Sequence, residues 1–178
     1  KKAGIRVTAE VTTHHLLLND EDILNDDANF KMNPPLRDKS DQQALLEGLM
    51  DGTIYCIASD HAPHTTQEKV QGLLKAPFGI IGLEYGFALL YIHFVKKGIF
   101  TLESLVNWMS LTPAACFGLN GSEVKIGSIA DLAFFDLDCE VTIEPVFKSK
   151  SSNSPFIGKK VYGDTVMTMV DGKIVWRK

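Results

Sequence analysis

Apolar residues along the chain alternate between short β-branched runs and stretches with helical spacing. Residues 5–11 predict a short strand, and from Ser40 a Ser-x-x-Gln pattern predicts a capped helix that Gly52 ends. Apolar residues at 44, 45, 46, 49 and 50 share one face of that helix. Residues 53–59 then predict a buried strand. This order is typical of α/β units with parallel strands, in which functional groups collect at the strand carboxyl ends.

In the second half of the chain the predicted elements change from helices to short strands. An apolar helix is predicted over 83–97, and Thr101 and Thr112-Pro113 each predict a helix start. Beyond Gly118 the pattern becomes short β segments at 129–138, 161–170 and 173–178, and Asp171-Gly172 predicts a type I′ hairpin. We therefore expect two domains, residues 1–117 and residues 118–178.

Composition narrows the classes of function. The 178 residues are 45% hydrophobic, which is enough for a buried core, and the net charge is -4 with scattered basic residues. This excludes the electrostatic pattern of a nucleic-acid or anionic-membrane binder and favours a small-molecule partner. No apolar run reaches the length of a membrane span. The solitary Cys56, Cys116 and Cys139 favour a reducing, cytoplasmic compartment.

The sharpest motif is Asp60-His-Ala-Pro-His64, directly after the second predicted strand. An aspartate at a strand end can hold a metal with one oxygen and move protons with the other, while Pro63 stiffens the turn that presents His64. A loop aspartate that caps neighbouring amides, followed by two surface histidines, explains the same pentapeptide. By itself the motif leaves both interpretations open.

Two further segments are weaker. In KMNPPLR, residues 31–37, paired prolines hold an extended loop from which Asn33 and Arg37 would project, although a plain structural turn accounts for this segment alone. In APFG, residues 76–79, backbone amides can bind a carboxylate or carbonyl, and Gly79 permits close approach. An ordinary helix start is the more common explanation of that turn.

Taken together, VTAEVTTHH, KMNPPLR, SDHAPH and APFGIIGLE, in this order, resemble the dihydroorotase family of cyclic amidohydrolases over essentially the whole chain. The resemblance implies an α/β fold: the carboxy-terminal part of a TIM-like (β/α)8 metallo-dependent hydrolase barrel followed by a small β domain. It implies zinc-dependent, reversible cyclisation of N-carbamoyl-L-aspartate to L-dihydroorotate in pyrimidine biosynthesis.

The resemblance also implies roles for individual residues. Asp60 matches the zinc-binding aspartate after the eighth barrel strand and would be both metal ligand and catalytic proton carrier. Asn33, His64, Phe78 and Gly79 would bind substrate. The family's HxHxR segment, its bridging carboxylate and its two other ligand histidines do not occur in this sequence.

A complete barrel needs about 250 residues, so these residues would supply only its last two strands. We therefore expect a fragment that is inactive alone, from an enzyme with two zinc ions per full subunit. The unpaired edge of the first strand also predicts pairing between copies, a homo-oligomer. Aspartate transcarbamoylase is a further candidate partner. Three alternatives stay open: a catalytically silent dihydroorotase-like subunit that supports that partner, a hydantoinase or allantoinase, and a stand-alone binding module.

Three other polar residues invite a metal or pocket assignment. His14 and His15 are adjacent, and neighbours in an extended segment point to opposite faces, so a shared site could take only one of them. We interpret both as structural. Glu10, in the first predicted strand, is either structural or part of the pocket lining, and we favour a structural role.

Overall fold

The structure, a computed structural model, describes residues 3–119 and 123–178. The chain forms two compact units that are discontinuous in sequence. The first contains the chain up to Gly86 together with Glu144–Ile157, and the second contains Phe87–Ile143 and Gly158–Lys178. The division differs from the predicted domain boundary after residue 117, and that boundary stays a prediction.

The first unit is a mixture of short helices and strands. In chain order these are β1 Glu10–Thr12, α1 Thr13–Leu17, α2 Lys39–Met50, β2 Cys56–Ala58, α3 Thr66–Lys69 and α4 Gly72–Lys75. Single 3₁₀ turns lie at Asp20–Asp22 and Ala28–Phe30. Strands β1 and β2 pair in parallel, with Val11 opposite Ile57. The parallel arrangement predicted from the order of elements is confirmed.

Both strands are shorter than the hydrophobic pattern predicts. The predicted strand over 5–11 begins only at Glu10, and the one over 53–59 only at Cys56. Directly before both strands, the Tyr55 amide donates to the Ala9 carbonyl at 2.7 Å. Helix α2 also begins earlier than predicted, because Asp38 rather than Ser40 is its N-cap: the Asp38 carboxylate accepts a hydrogen bond from the Asp41 amide. The stretch 65–75, without a predicted element, contains α3 and α4.

The core of the first unit is apolar, with one buried polar ring. Its most buried large side chains are Val11, Leu16, Met32, Leu49 and Ile80, all at most 4% exposed. His14 is among them at 1% exposed. Burial, and secondarily the neighbouring His15, lowers the pKa of His14 to about 3. Its ring is therefore neutral at physiological pH, and the structural interpretation of His14 agrees with this position.

The second unit begins with helices. They are α5 Gly86–Leu90, whose first residue lies at the division, a π-helical turn Tyr91–Val95, α6 Leu102–Val106, a second π-helical turn Asn107–Leu111, and α7 Thr112–Phe117. Thr101 caps α6 through a hydrogen bond from the Ser104 amide, and Pro113 lies in the first turn of α7, both as predicted. Among residues 3–119 and 123–178 no helix has the length and apolar character of a bilayer span.

The strands of the second unit form one antiparallel sheet in the order β3-β4-β5. They are β3 Leu132–Thr142, β4 Lys160–Val170 and β5 Lys173–Arg177. Asp171 and Gly172 both have positive φ, 49° and 71°, which confirms the predicted I′ turn. The Phe87 and Phe135 rings stack at a centroid distance of 3.9 Å. Because this stacking ties α5 to the sheet, helices and sheet belong to one unit.

Burial of neutral His14 predicts a stability that falls with acidification. The unfolded chain binds a proton at His14 near pH 6.5, and the folded chain binds it only near pH 3. Between these two values only the unfolded chain is protonated, so the free energy of unfolding decreases as the pH falls below about 6.5. At pH 5 the loss should reach about 2 kcal/mol. Urea unfolding at pH 7.5 and pH 5 should show this loss in the wild type and not in His14→Leu.

A control separates this effect from general core disruption. Leu16→Met changes a neighbouring buried residue that has no titratable group. Its stability should follow the pH dependence of the wild type. A His14→Leu curve parallel to that of the wild type would contradict the assignment.

Candidate functional site

A cavity of about 710 Å³ opens at the carboxyl ends of β1 and β2. Asp60 reaches it from the turn after β2, and Asn33 from the loop before α2. The remaining polar lining side chains are Glu10, Thr12, His15, Arg37 and Asp41. The structure thus places two of the predicted site residues, Asp60 and Asn33, in one cavity. Glu10 lines it as well, which favours the pocket alternative left open for that residue.

The Asp60 backbone is in the left-handed region, with φ of 44°. Aspartate and asparagine tolerate this conformation better than most other residues, at a cost of order 1 kcal/mol. Asp60 is exposed and lines the cavity. The positive φ ends the extended course of the chain at this residue.

The described residues do not form a complete metal site. No group of three or more His, Cys, Asp or Glu side chains that could hold a metal occurs within 3–119 and 123–178. The Asp60 carboxylate has the oxygen chemistry of a zinc ligand and an open cavity beside it. It fits the role of a single ligand in a site whose other ligands come from outside these residues.

His15 supports the loop that carries Asn33. One ring nitrogen, Nε2, lies 2.8 Å from the Pro34 carbonyl oxygen, and Nδ1 lies 2.6 Å from the Thr12 hydroxyl oxygen. A carbonyl can only accept, so Nε2–H is the donor and Nδ1 accepts from the hydroxyl. The Asn33–Pro34 peptide bond is cis. His15 therefore has the structural role expected of it, and in addition it lines the cavity, which the sequence did not indicate.

The DHAPH turn runs alongside the segment that follows the APFG motif. His61 and Ile80 form a parallel β-bridge, and the Ala62 amide donates to the Ile80 carbonyl at 2.8 Å. The Gly82 amide donates to Nδ1 of His61 at 3.1 Å. Two of the motifs found in the sequence are thus joined by main-chain hydrogen bonds.

His64, Phe78 and Gly79 form a second group beside this bridge. Nε2 of His64 lies 2.9 Å from the Phe78 carbonyl oxygen. The Phe78 ring is exposed and has the Lys31 ammonium 4.5 Å from its centroid. His64 lines a separate cavity of about 270 Å³, together with Asp26 and other residues. Substrate binding by His64, Phe78 and Gly79 stays a prediction.

Gly79 is the point at which three loops meet. Its amide donates to the Lys31 carbonyl at 2.8 Å. Its own carbonyl accepts from Lys69 Nζ at 2.9 Å and from Asn153 Nδ2 at 3.1 Å. With φ at 117°, a Cβ on Gly79 would lie 2.3 Å from Cβ of Ala62. Close approach at Gly79, predicted for a ligand, is made here by the neighbouring Ala62 turn.

Lys69 and Asn153 are site-supporting residues that sequence reasoning missed. Lys69 is 6% exposed, and burial followed by the nearby Lys31 charge lowers its pKa. Its ammonium also donates to the Pro77 carbonyl at 3.1 Å. The signal that could have located Lys69 is the capping box from Thr65 to Glu68, which fixes the start of α3. Asn153 lies in a serine-rich loop with no comparable signal.

Metal-dependent hydrolases with α/β folds are one class of enzyme in which parallel strands present carboxylates at their carboxyl ends. The sequence profile of the Amidohydrolase family matches residues 5–175, and the chain belongs to this family.

Among its relatives, the chain is 62% identical to the dihydroorotase of Anoxybacillus flavithermus and 59% identical to that of Bacillus caldolyticus, over its whole length in both cases. It spans 42% of the length of each of these relatives.

Solved structures agree with the family assignment. The L-hydantoinase (dihydropyrimidinase) of Arthrobacter aurescens superposes with a TM-score of 0.91 at 33% identity, over 99% of this chain and 41% of that one. The D-hydantoinase (dihydropyrimidinase) of Thermus sp. gives a TM-score of 0.89 at 28% identity, over 99% of this chain and 40% of that one.

The contact between Gly79 and Ala62 predicts a steric penalty at this glycine. Gly79→Ala should lower the free energy of unfolding by the cost of positive φ, about 1 kcal/mol, and by a further 1 to 3 kcal/mol, roughly, for overpacking. Gly52→Ala is the matched control, because Gly52 also has positive φ but a Cβ there would meet nothing within 4 Å. Denaturant unfolding of both variants measures the difference, and equal losses would contradict the contact.

Proposed function

We propose that the whole protein containing this sequence is a dihydroorotase, which interconverts N-carbamoyl-L-aspartate and L-dihydroorotate in pyrimidine biosynthesis. The observation that carries this proposal is the shared cavity of Asp60 and Asn33, in a chain 62% identical to a dihydroorotase. Identity to the hydantoinases of similar fold is much lower, at 28% and 33%. This difference favours a dihydroorotase over another cyclic amidohydrolase.

The proposal includes the architecture. Strands β1 and β2, with the helices after them, would be the last two strand–helix units of a (β/α)8 barrel, and the sheet β3-β4-β5 would be the small β domain. Their parallel and antiparallel pairings support this division of roles. The cytoplasmic location, the homo-oligomer and the aspartate transcarbamoylase partner stay predictions.

Asp60 would be one ligand of a binuclear zinc centre whose other ligands lie outside this sequence. Zinc bound there supplies Lewis acidity, which polarises the amide carbonyl and acidifies water. In ring opening, water oxygen bonds to the ring carbonyl carbon and the carbon–nitrogen bond breaks. Asp60 accepts the proton that this water loses and returns it to the departing nitrogen. Ring closure follows the same steps in reverse.

The remaining residues would bind and orient the substrate. The Asn33 amide can both donate and accept a hydrogen bond at the cavity wall, and the His15 contact to Pro34 limits how far its loop can move. His64 and the backbone of Phe78 and Gly79 would bind the carboxylate or ring of dihydroorotate. A small number of polar groups that orient the ligand is typical of a site for a small-molecule substrate.

Asp60→Asn should abolish most turnover of the whole zinc-loaded protein. Asparagine keeps the shape and tolerates the same positive φ, but its amide cannot carry the proton. General acid–base catalysis contributes about 10² to 10⁴ in rate, so kcat should fall by at least about 100-fold. The measurement is steady-state opening of L-dihydroorotate, with zinc content determined on the same samples.

Asp41→Asn is the matched control for that change. Asp41 lines the same cavity but projects from α2 and pairs with Arg37 at 3.3 Å, with both side chains largely exposed. Its kcat should stay within about threefold of the wild type, since exposed ion pairs contribute little. Substantial turnover by Asp60→Asn with a normal zinc content would remove Asp60 from the proton-carrying role.

Asn33→Ala should weaken substrate binding more than it slows the chemistry. Loss of one polar contact costs about 1 to 3 kcal/mol, so the Kd for L-dihydroorotate should rise by roughly 5- to 150-fold. Asn25→Ala is the control, because Asn25 is exposed and lines neither this cavity nor the smaller one beside His64. Calorimetric titration distinguishes the two, and unchanged affinity in Asn33→Ala would exclude Asn33 from the site.

Assays of the wild type on two substrates separate the leading alternatives. A dihydroorotase should open L-dihydroorotate with a kcat/KM at least about tenfold above that for hydantoin. A preference for hydantoin would identify a hydantoinase instead. No activity on either, with zinc bound, would favour the catalytically silent subunit.

A further inference from the structure

Asn153 lies in the segment Glu144–Ile157, which falls within the predicted β domain 118–178 and which belongs to the first unit. Its side chain is buried, at 5% exposure. We propose that Asn153 is a positioning residue, which fixes the His64 turn against the Phe78–Gly79 turn and so sets the affinity for substrate. This inference rests on the proposed function, because it takes those turns to be the substrate-binding ones.

The contacts of the Asn153 carboxamide join both turns. Its Oδ1 accepts a hydrogen bond from the His64 amide at 3.0 Å. Its Nδ2 donates to the Ala62 carbonyl at 3.0 Å and to the Gly79 carbonyl at 3.1 Å. Both donors and one acceptor position of the side chain are therefore used by main-chain groups of the two turns.

The main chain of Asn153 adds a fourth contact. Its carbonyl accepts from the Ile81 amide at 3.1 Å. Around the β-bridge between His61 and Ile80, Asn153 thus bonds to residues after His61 and to the residues on both sides of Ile80. Beyond the bridge itself the two turns have no regular ladder, so these bonds help to fix where the His64 ring lies relative to the Phe78 carbonyl, its partner at 2.9 Å.

Only a carboxamide makes this set of bonds. An ionised carboxylate of the same shape keeps the acceptor for the His64 amide but places negative oxygen against the Ala62 and Gly79 carbonyls. A protonated carboxyl restores one donor. An apolar side chain restores none and leaves buried groups unpaired.

Ser154 is a natural control for Asn153. It is the next residue, is buried to nearly the same extent at 6% exposure, and its hydroxyl accepts a hydrogen bond from the Phe156 amide at 3.2 Å. That bond is local and reaches neither of the two turns. Replacing Ser154 therefore tests burial and segment stability without touching the bonds made by Asn153.

The experiment uses the whole zinc-loaded protein and compares the wild type with Asn153→Leu, Asn153→Asp and Ser154→Ala. Steady-state opening of L-dihydroorotate should give a KM raised about tenfold or more in Asn153→Leu, with kcat within about threefold of the wild type. Ser154→Ala should leave both constants unchanged. A lower melting temperature with an unchanged KM would show that Asn153 acts only in packing and would overturn the proposal.

Asn153→Asp decides the matter if Asn153→Leu does not fold, because it has nearly the shape of asparagine. Burial and the two facing carbonyls raise the pKa of the introduced carboxyl. Its KM, divided by that of the wild type at the same pH, should therefore fall as the pH is lowered from about 8 to about 6, where the protonated form returns a donor. A ratio that stays at one throughout this range would overturn the proposal.

Amide hydrogen exchange keeps this test distinct from that of the proposed function. The His64 amide should exchange faster in Asn153→Leu, which has no acceptor for it, and at the wild-type rate in Ser154→Ala. If the wild type does not open dihydroorotate, the proposed function fails whatever the variants do. Unchanged exchange at His64 in Asn153→Leu overturns the positioning role even in an active enzyme.

Discussion

The parallel pairing of Glu10–Thr12 with Cys56–Ala58 determines which polar side chains can meet. Parallel strands end at the same edge, so the residues after each of them share one space. Asp60 follows β2. At the end of β1, Thr12 bonds to His15, and His15 bonds to the Pro34 carbonyl and so holds the Asn33 loop at that edge. A one-residue change of register would turn Val11 out of the core and displace Asp60 from the cavity.

Local sequence signals were sufficient where the structure is local. Asp171-Gly172 forms its hairpin because both residues tolerate positive φ, and Thr101 caps α6 through a bond three residues away. The strand predicted over 5–11 failed at its amino end for a physical reason. A strand requires a regular ladder with its partner, and the ladder with β2 begins at Glu10.

The candidate site could be predicted only in part. Asp60 and Asn33 were assigned to the site by the resemblance of DHAPH and KMNPPLR to a known family, because each motif by itself left a structural interpretation open. The Asn153 side chain bonds to groups 74 and more residues away, and its loop carries no pattern that indicates burial. Lys69 lies in the stretch 65–75, for which no helix or strand was predicted, yet it is buried. Such residues can be identified only from the folded structure, because their partners are distant in sequence.

Lys69 and Asn153 are buried for the same physical reason. Irregular loops leave carbonyl groups without main-chain donors, and these two side chains supply donors instead. The turns around Pro77 and Gly79 have no ladder along most of their length, and a buried carbonyl without a donor is costly. Nζ of Lys69 and Nδ2 of Asn153 approach the Gly79 carbonyl together, one from α3 and one from the segment before residue 158. Burial lowers the pKa of Lys69, and the carbonyl oxygens around its Nζ offset part of that cost because they replace lost water. The carbonyl groups of these turns thus depend on polar side chains from two different segments, and not on apolar packing alone.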